Sequence, residues 1–391
     1  MSGVLLTSLL GAAAPRILNP AAPPRPTDAE RLEELAFQYG RSYDSYLVTE
    51  PGRHVFWSHD RRGAIVYLQS GKYLNVGGGI LAPDEQKAAL LREFAQFAAQ
   101  EKWIVSFYNI GEHDLSLFQD AQFQVTKWGE DAVIDLAELT WSGKPFEWVR
   151  RQSNFCRRQG LKWSEVLPEE TFPAAWDAIM DELEEISNAR LAAKPQAIET
   201  GFLDGRFDRQ QIDRKRIFIA RSPARIEGFL ICNPCLNGTE WALEMYRQRP
   251  DGTRGTITFL MHQTLEQFRR EGLPRASLCL VPALRCEERL PGDSRWIRWS
   301  LKASRYFNFI YDVAGLYHFK SRFRPRFEPR YICVFPKATL GSMRAFTRIS
   351  GALDLSPGKV LACVWDHLKK WSRRATLATP HGEQHPDHST C

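Results

Sequence analysis

The sequence predicts a mixed α/β protein (α+β, with mixed sheets) built from two similar units. Its 391 residues suit two domains, since domains usually have about 100–200 residues. Hydrophobic residues make up 43% and charged residues 25% of the chain, which is typical of a soluble globular protein and excludes global disorder. Each half also repeats one order of elements: strands, a glycine-containing loop, a helix and a strand.

In the first half, we expect Asp28 to cap a helix that runs from Ala29 to about Tyr39. Alternating apolar residues predict strands in the range 44–76, at Tyr46–Val48, His54–Trp57, Ala64–Leu68 and Tyr73–Val76. The loop Gly77–Gly79 follows. The remaining predicted elements are a helix at about Asp84–Gln100, a strand at Trp103–Tyr108, a short helix at Leu115–Asp120 and a strand at Ala132–Leu136.

The second half shows the same order. Predicted helices cover about Pro145–Gln159, Glu169–Ser187 and Thr256–Glu271, and predicted strands cover Leu161–Val166, Arg216–Ala220, Glu227–Ile231, Trp241–Arg247 and Ala276–Val281. Antiparallel strands followed by a loop, a helix and a strand are the order of the acetyltransferase-like (GNAT) fold. The sequence therefore predicts two such units in tandem.

We expect four segments. They are a flexible leader at 1–27, an N-terminal acetyltransferase-like domain at 28–144, a C-terminal catalytic domain at 145–345, and a basic amphipathic helix with a disordered tail at 346–391. The helix, at about 356–374, suits either packing on the domain or an anionic membrane surface.

The chain is expected in the cytoplasm, with contact at the cytosolic face of the membrane as a further possibility. It has no apolar stretch of the roughly 18–20 residues that span a bilayer and no signal-like N-terminus. Its eight cysteines are scattered, which favours a reducing compartment and predicts no metal site. Cys232 and Cys235 have metal-like spacing but no second pair, so they are interpreted as part of a hairpin turn.

The segment Leu316–Ile332 alternates basic and aromatic side chains around two prolines. Cations neutralise phosphates and aromatic rings stack on unpaired bases, so this composition suits a nucleic-acid end. An aromatic-rich edge with solvated arginines is the alternative. The prolines favour a rigid, extended loop.

Phe319–Tyr331 resembles the C-terminal signature of the lysylphosphatidylglycerol synthase catalytic domain, the cytosolic part of multiple peptide resistance factors. Further stretches resemble that family in the same order, namely Gly129–Leu136, Leu243–Arg247 and Gly255–Leu260. The resemblance covers about residues 30–340. Two positions depart from it: Thr258 replaces an acidic residue, and a run beginning at Cys279 replaces the family's usual block after the strand.

The resemblance implies a transferase that moves an amino acid from aminoacyl-tRNA to a hydroxyl of a lipid such as phosphatidylglycerol, or of another small acceptor. Because the donor ester is already activated, no cofactor, metal or covalent nucleophile is expected. The enzyme has to position the acceptor, remove its proton and stabilise an oxyanion.

The resemblance and the residue chemistry together suggest site residues. Lys320 and Arg330 suit the tRNA 3′ end or the oxyanion, and Glu130 and Glu244 suit amino-group recognition or acceptor deprotonation. Arg247, Arg249 and Arg254 flank the loop before the helix at Thr256, whose N-terminus could bind phosphate. The other candidate binding residues are Thr258, Arg322, Glu328 and Tyr331.

Two other functions remain open at this stage. One is an N-acyltransferase that uses acyl-CoA, although the run Arg249–Gly255 has one residue more than the usual diphosphate-binding motif. The other is a non-catalytic protein that binds tRNA or anionic lipid, which the loss of the acidic residue at Thr258 would suit.

Overall fold

The computed structural model describes residues 27–168, 171–193, 201–212, 214–306 and 312–351. The predicted leader, the helix at 356–374 and the tail lie outside these ranges. The helices are α1 (Asp28–Tyr39), α2 (Asp84–Gln100), α3 (Leu115–Asp120), α4 (Glu147–Arg158), α5 (Pro173–Ala193), α6 (Thr256–Arg270), α7 (Arg295–Tyr306), α8 (Val313–Ser321) and α9 (Leu340–Ile349).

The strands are β1 (His54–Trp57), β2 (Ala64–Ser70), β3 (Tyr73–Leu81), β4 (Ile104–Gly111), β5 (Gln124–Asp135), β6 (Lys162–Val166), β7 (Arg216–Arg221), β8 (Ile226–Cys235), β9 (Glu240–Gln248), β10 (Arg275–Pro282) and β11 (Arg326–Phe335). They form one sheet in the order β1-β2-β3-β4-β11-β5-β10-β9-β8-β7-β6.

The two halves of the sheet have the same topology. Strands β1 to β3 are antiparallel, α2 crosses the sheet, and β4 returns parallel to β3. Strands β6 to β9 are likewise antiparallel, α6 crosses, and β10 returns parallel to β9. The prediction of two similar acetyltransferase-like halves in a mixed α/β fold is therefore confirmed.

Strand β11 lies in the middle of the sheet, antiparallel to both β4 and β5. The prediction of a rigid loop here was wrong, because the basic and aromatic segment forms α8 and then this central strand. Pro329 cannot donate to a neighbouring strand, but it lies beside the register shift at Arg330/Tyr331, where a missing donor is tolerated. The domain boundaries stay a prediction, and the sheet continues across position 145 through pairing of β5 with β10.

The start of α1 and the region after it differ from the prediction. Thr27, not Asp28, caps α1, because its side chain accepts from the Glu30 N–H in a capping box. Tyr46–Val48 are not a strand but part of the 3₁₀ turn Ser45–Thr49. The side chain of Ser45 donates to Gly78 O at 3.1 Å and thereby holds this turn against β3.

Two predicted turns are parts of strands. Gly77–Gly79 continue β3, which has a register irregularity there. Cys232 and Cys235 lie within β8 as buried free cysteines. Between them, Pro234 faces β9 on one side but lies beyond the last residue paired with β7, so its missing N–H costs no bond on that side.

The helices cover both faces of the sheet, and alternate strand residues point to opposite faces. On β11, Tyr331 and Cys333 pack in the core that α2 covers, whereas Ile332 and Val334 pack in the core of α7 and α9. On β8, Leu230 faces α4 and α6 and Ile231 faces α5. We call the two sides the α2/α4/α6 face and the α5/α7/α9 face. None of the described helices combines the length and the apolarity needed to cross a membrane.

Candidate active site

Strands β9 and β10 separate near the centre of the sheet, and we call this opening the strand split. The strands pair only where Glu240–Ala242 faces Arg275–Ser277. Beyond that point each strand carries an extra residue relative to its other neighbour, β9 at Glu244 and β10 at Leu278–Cys279. Such bulges bend a strand and redirect its side chains. The pairing of β9 with β10 therefore ends where both strands carry a bulge.

Lys320, from the last turn of α8, reaches the strand split with its amino group. Its side chain is 3% exposed, and Nζ donates to Cys279 O at 2.9 Å and to Leu280 O at 3.0 Å. Burial lowers the pKa of Lys320, an effect that the nearby Cys279 and Asp131 oppose. Since an ammonium has three N–H donors, one remains beyond these two hydrogen bonds.

Glu244 is the extra residue of the β9 bulge, and its carboxyl group contacts the chain at Gly205. Gly205 N–H donates to Oε1 at 2.6 Å. A Cβ atom at Gly205 would lie 2.7 Å from Oε2, so only glycine allows this approach. Burial, with a smaller contribution from Asp204, raises the pKa of Glu244 to about 7 despite the opposing Gly205 hydrogen bond.

Asp204, Tyr246 and Tyr43 complete the surroundings, and none of them was predicted as a site residue. Burial raises the pKa of Tyr246, with Cys279, Asp204 and Glu244 within electrostatic reach. The hydroxyl of Tyr43 accepts from Asn109 Nδ2 at 3.1 Å. The sequence could have pointed to two of them, because Tyr246 lies in the same motif as Glu244 and Asp204 directly precedes Gly205.

Glu130, the other acidic candidate, is engaged elsewhere. Lys127 Nζ lies 2.6 Å from one carboxylate oxygen and Arg285 Nη1 lies 3.3 Å from the other. Of the two predicted carboxyl groups, Glu244 is the one at the strand split, in the β9 bulge, and both it and Lys320 lie within electrostatic reach of Asp204 and Cys279.

Arg330 and Glu328 belong to a charged network within the sheet. Arg330 Nη2 donates to Asp131 Oδ2 at 2.8 Å, and Ser277 Oγ donates to Asp131 Oδ1 at 2.6 Å. Glu328 accepts from Arg275 at 2.5 Å. These contacts join β11, β5 and β10 beside the strand split. Arg330 and Glu328, which were predicted to bind substrate, are thus paired with other side chains of the sheet.

Four other predicted site residues, in or next to β9, α6 and β11, are buried or paired with another side chain. Arg247 is buried on β9, and its charge lowers the pKa of Glu244 slightly against the effect of burial. Arg249 makes two hydrogen bonds to Glu185, at 2.8 and 2.9 Å. Thr258 is buried in the first turn of α6, and Tyr331 lies in the core under α2.

Arg254 and Arg322 line two adjoining clefts along α4, which we call the α4 cleft. One has a volume of about 560 Å³ and the other about 450 Å³, and Arg151 lines both. The Arg322 guanidinium lies 5.4 Å from the centre of the Trp148 ring. The other lining residues are Lys144, Pro145, Glu147, Gln152, Asn154, Phe155, Arg158 and Arg324. Such a cationic cleft suits a phosphate backbone.

Helix α4 also packs across the N-terminus of α6, the predicted phosphate-binding position. A Cβ atom at Gly255, the cap residue, would lie 2.7 Å from Gln152 Oε1. Cys156 Sγ donates to Arg254 O at 3.5 Å. The N-terminus of α6 is therefore covered by another helix, which leaves little room for the diphosphate of an acyl-CoA.

The sequence model of the family described as "Phosphatidylglycerol lysyltransferase, C-terminal" matches residues 33–334, which include both halves of the sheet and the strand split. The chain belongs to this family. A relative named phosphatidylglycerol lysyltransferase from Bacillus subtilis (strain 168) is 26% identical over 334 residues, covering 83% of this chain and 37% of that protein. Another of the same name, from Staphylococcus aureus (strain MRSA252), is 24% identical over 78% of this chain and 36% of that protein. The chain thus spans little more than a third of these relatives.

Solved structures of the family share the fold. The C-terminal domain of an Agrobacterium fabrum protein named as a lysylphosphatidylglycerol synthetase is 25% identical, with a TM-score of 0.68, over 85% of this chain and 98% of that chain. The L-PGS structure from Bacillus licheniformis is 21% identical, with a TM-score of 0.68, over 82% of this chain and 95% of that chain. The overall architecture is therefore that of the family's C-terminal domain.

Proposed function

We propose that this chain transfers the aminoacyl group of an aminoacyl-tRNA to a hydroxyl of phosphatidylglycerol or a similar lipid. Family membership and the names of the relatives support the reaction class. The observation in the structure that carries the proposal is the buried Glu244 carboxyl group in the β9 bulge, which has a pKa of about 7 and shares Asp204 and Cys279 as electrostatic neighbours with Lys320.

The proposed reaction is a single transesterification. Glu244 accepts the proton of the acceptor hydroxyl as its oxygen attacks the ester carbonyl carbon. The remaining N–H of Lys320 donates to the oxyanion that forms. The bond from the carbonyl carbon to the ribose oxygen then breaks, and the ribose oxygen takes the proton from Glu244. Protons balance, and the products are the aminoacyl lipid and free tRNA.

The two substrates have different electrostatic requirements. The cations of the α4 cleft suit the tRNA phosphates. Asp204 is exposed next to Glu244, so its carboxylate suits the amino group of the aminoacyl moiety. The acyl-CoA alternative is disfavoured, because α4 covers the N-terminus of α6.

The direct test supplies the protein with labelled aminoacyl-tRNAs and phosphatidylglycerol vesicles. We expect label in the lipid fraction, and we expect ribonuclease treatment of the donor to abolish it. Lysyl-tRNA is the first donor to test, given the names of the relatives. Lipid labelling that requires acyl-CoA, or no labelling with any aminoacyl-tRNA, would contradict the proposal.

A further inference from the structure

Helices α7 and α9 lie side by side on the α5/α7/α9 face. Ser300 Oγ on α7 is 3.8 Å from Met343 Sδ on α9. Ile297 and Met343 are buried in one core with Tyr108, beneath both helices. The inner sides of the two helices are thus fixed against the sheet, and their outer sides face solvent together.

These outer sides combine large apolar residues with cations, and we call the surface the α7/α9 platform. Trp296 is 44% exposed, Trp299 62% and Leu340 56%. The exposed cations of the platform are Arg295, Lys302, Lys337, Arg344 and Arg348. Neither helix contains an aspartate or glutamate. An exposed apolar patch with cations on the same two helices marks a binding surface.

The tryptophans cannot turn into the core, because α7 is anchored at its start. Arg298 donates to Asp293 Oδ2 at 2.8 Å and to Glu288 O at 2.8 Å. Ile297 already fills the inner side of the same turn. The spacing of Trp296 and Trp299 places both rings on the same side of the helix. Their exposure therefore follows from the way α7 is held.

The chemistry of the platform matches an anionic lipid surface. Tryptophan favours the headgroup region of a bilayer, where its ring is buried and its N–H remains hydrated. Lysine and arginine beside it are attracted to anionic lipids. Leu340 offers aliphatic surface without a ring plane for base stacking, and the platform is the outside of two helices rather than a groove that follows a strand. These features favour lipid over nucleic acid.

We infer that the α7/α9 platform docks the protein on an anionic membrane surface, with Trp296 and Trp299 at the level of the lipid headgroups. This role rests on the proposed function only in one respect: a lipid acceptor has to be met at a membrane. It is distinct from the membrane contact predicted for residues 356–374, which lie outside the described part of the chain.

The test uses the full chain and vesicles of phosphatidylcholine, alone or mixed with phosphatidylglycerol, in a co-sedimentation assay. We expect binding to the mixed vesicles that weakens with salt. W296A/W299A and R344Q/R348Q should each weaken this binding about tenfold or more. The matched control is F172A, which removes an aromatic side chain that is 84% exposed outside the platform, and it should bind like the wild type.

Unchanged vesicle binding by both double variants would overturn the inference. So would variants that lose tRNA binding in a filter assay but keep vesicle binding, since the platform would then serve nucleic acid. Transfer to a short-chain, water-soluble phosphatidylglycerol separates docking from catalysis. If docking is the role, the platform variants lose transfer to vesicles and keep transfer to the soluble lipid. If the wild type binds vesicles but transfers to neither acceptor, the proposed function fails and the inference stands.

Discussion

Glu244 and Glu130 lie two strands apart in one sheet, and their neighbours give them different chemistry. Glu130 is within ion-pair distance of Lys127 and Arg285. Glu244 has the Gly205 N–H as its hydrogen-bond donor and the Asp204 carboxylate nearby, and burial raises its pKa to about 7. A general base works best when its pKa is near the working pH, so Glu244 is the better candidate.

The raised pKa of Glu244 predicts a dependence of stability on pH. Its ordinary value is 4.5 and its value in the folded chain is about 7. Between these values the folded state binds more protons than the unfolded state, so stability falls as pH rises through this window. At about 1.4 kcal/mol per pKa unit, the full effect is on the order of 3 kcal/mol.

E244Q should remove most of this dependence, as measured by urea unfolding at about pH 5 and about pH 8. The control E138Q changes an exposed carboxyl group and should keep the wild-type dependence. An E244Q protein whose stability falls with pH as steeply as that of the wild type would contradict the assignment.

At the scale of elements, the strand split depends on two bulges and one helix. The β9–β10 pairing ends where both strands carry a bulge, and α8 brings Lys320 Nζ to two backbone carbonyl groups of β10. Beside the split, the Arg330–Asp131 pair joins β11 to β5. Arg330 was predicted to bind substrate. Its ion pair with Asp131 suggests instead that it stabilises the sheet.

Replacement of Arg330 distinguishes these roles. R330M leaves Asp131 buried without its ion-pair partner and should reduce the free energy of unfolding by about 3–5 kcal/mol, whereas R330M/D131N should recover part of the loss. The control R326M removes an exposed arginine from the same strand and should cost far less. Urea unfolding provides the measurement. If R330M keeps wild-type stability but loses transfer, Arg330 acts on substrate.

Local elements could be predicted from the sequence, but long-range pairing could not. The apolar periodicity of α2, α3 and α6 predicted these helices within a residue of their observed bounds. The position of β11 depends on β4 and β5, which lie about two hundred residues earlier, and its prolines and charges do not resemble a central strand. Glu244 and Lys320 were predicted as site residues, whereas the bulges that orient them leave no pattern in the sequence.

For the whole molecule, β11 makes the two halves one unit. It fills the space between two strands of the first half, although it comes from the end of the second. The two faces of the resulting sheet carry different surfaces. The α4 cleft is on the α2/α4/α6 face and the α7/α9 platform is on the other, so the surfaces proposed for tRNA and for the membrane do not overlap.

The position of β11 predicts that residues 28–144 do not fold alone. Without β11, the strands β4 and β5 would each expose an unpaired edge inside the sheet. We expect the isolated segment to show no cooperative thermal transition by circular dichroism, whereas a chain of residues 27–351 should show one. A cooperative transition in the isolated segment would instead support an independent first domain.

The central claim is that Glu244 accepts the proton of the acceptor hydroxyl during aminoacyl transfer. Single-turnover transfer from lysyl-tRNA to phosphatidylglycerol, measured from about pH 5 to about pH 9, tests it most directly. For the wild type and the control E240Q, which alters a carboxyl group on the same strand, we expect a rate that rises with pH and levels off above about pH 7. E244Q should be slower by about 10²–10⁴-fold and should lose this rise. A wild-type rate and pH profile in E244Q would contradict the claim.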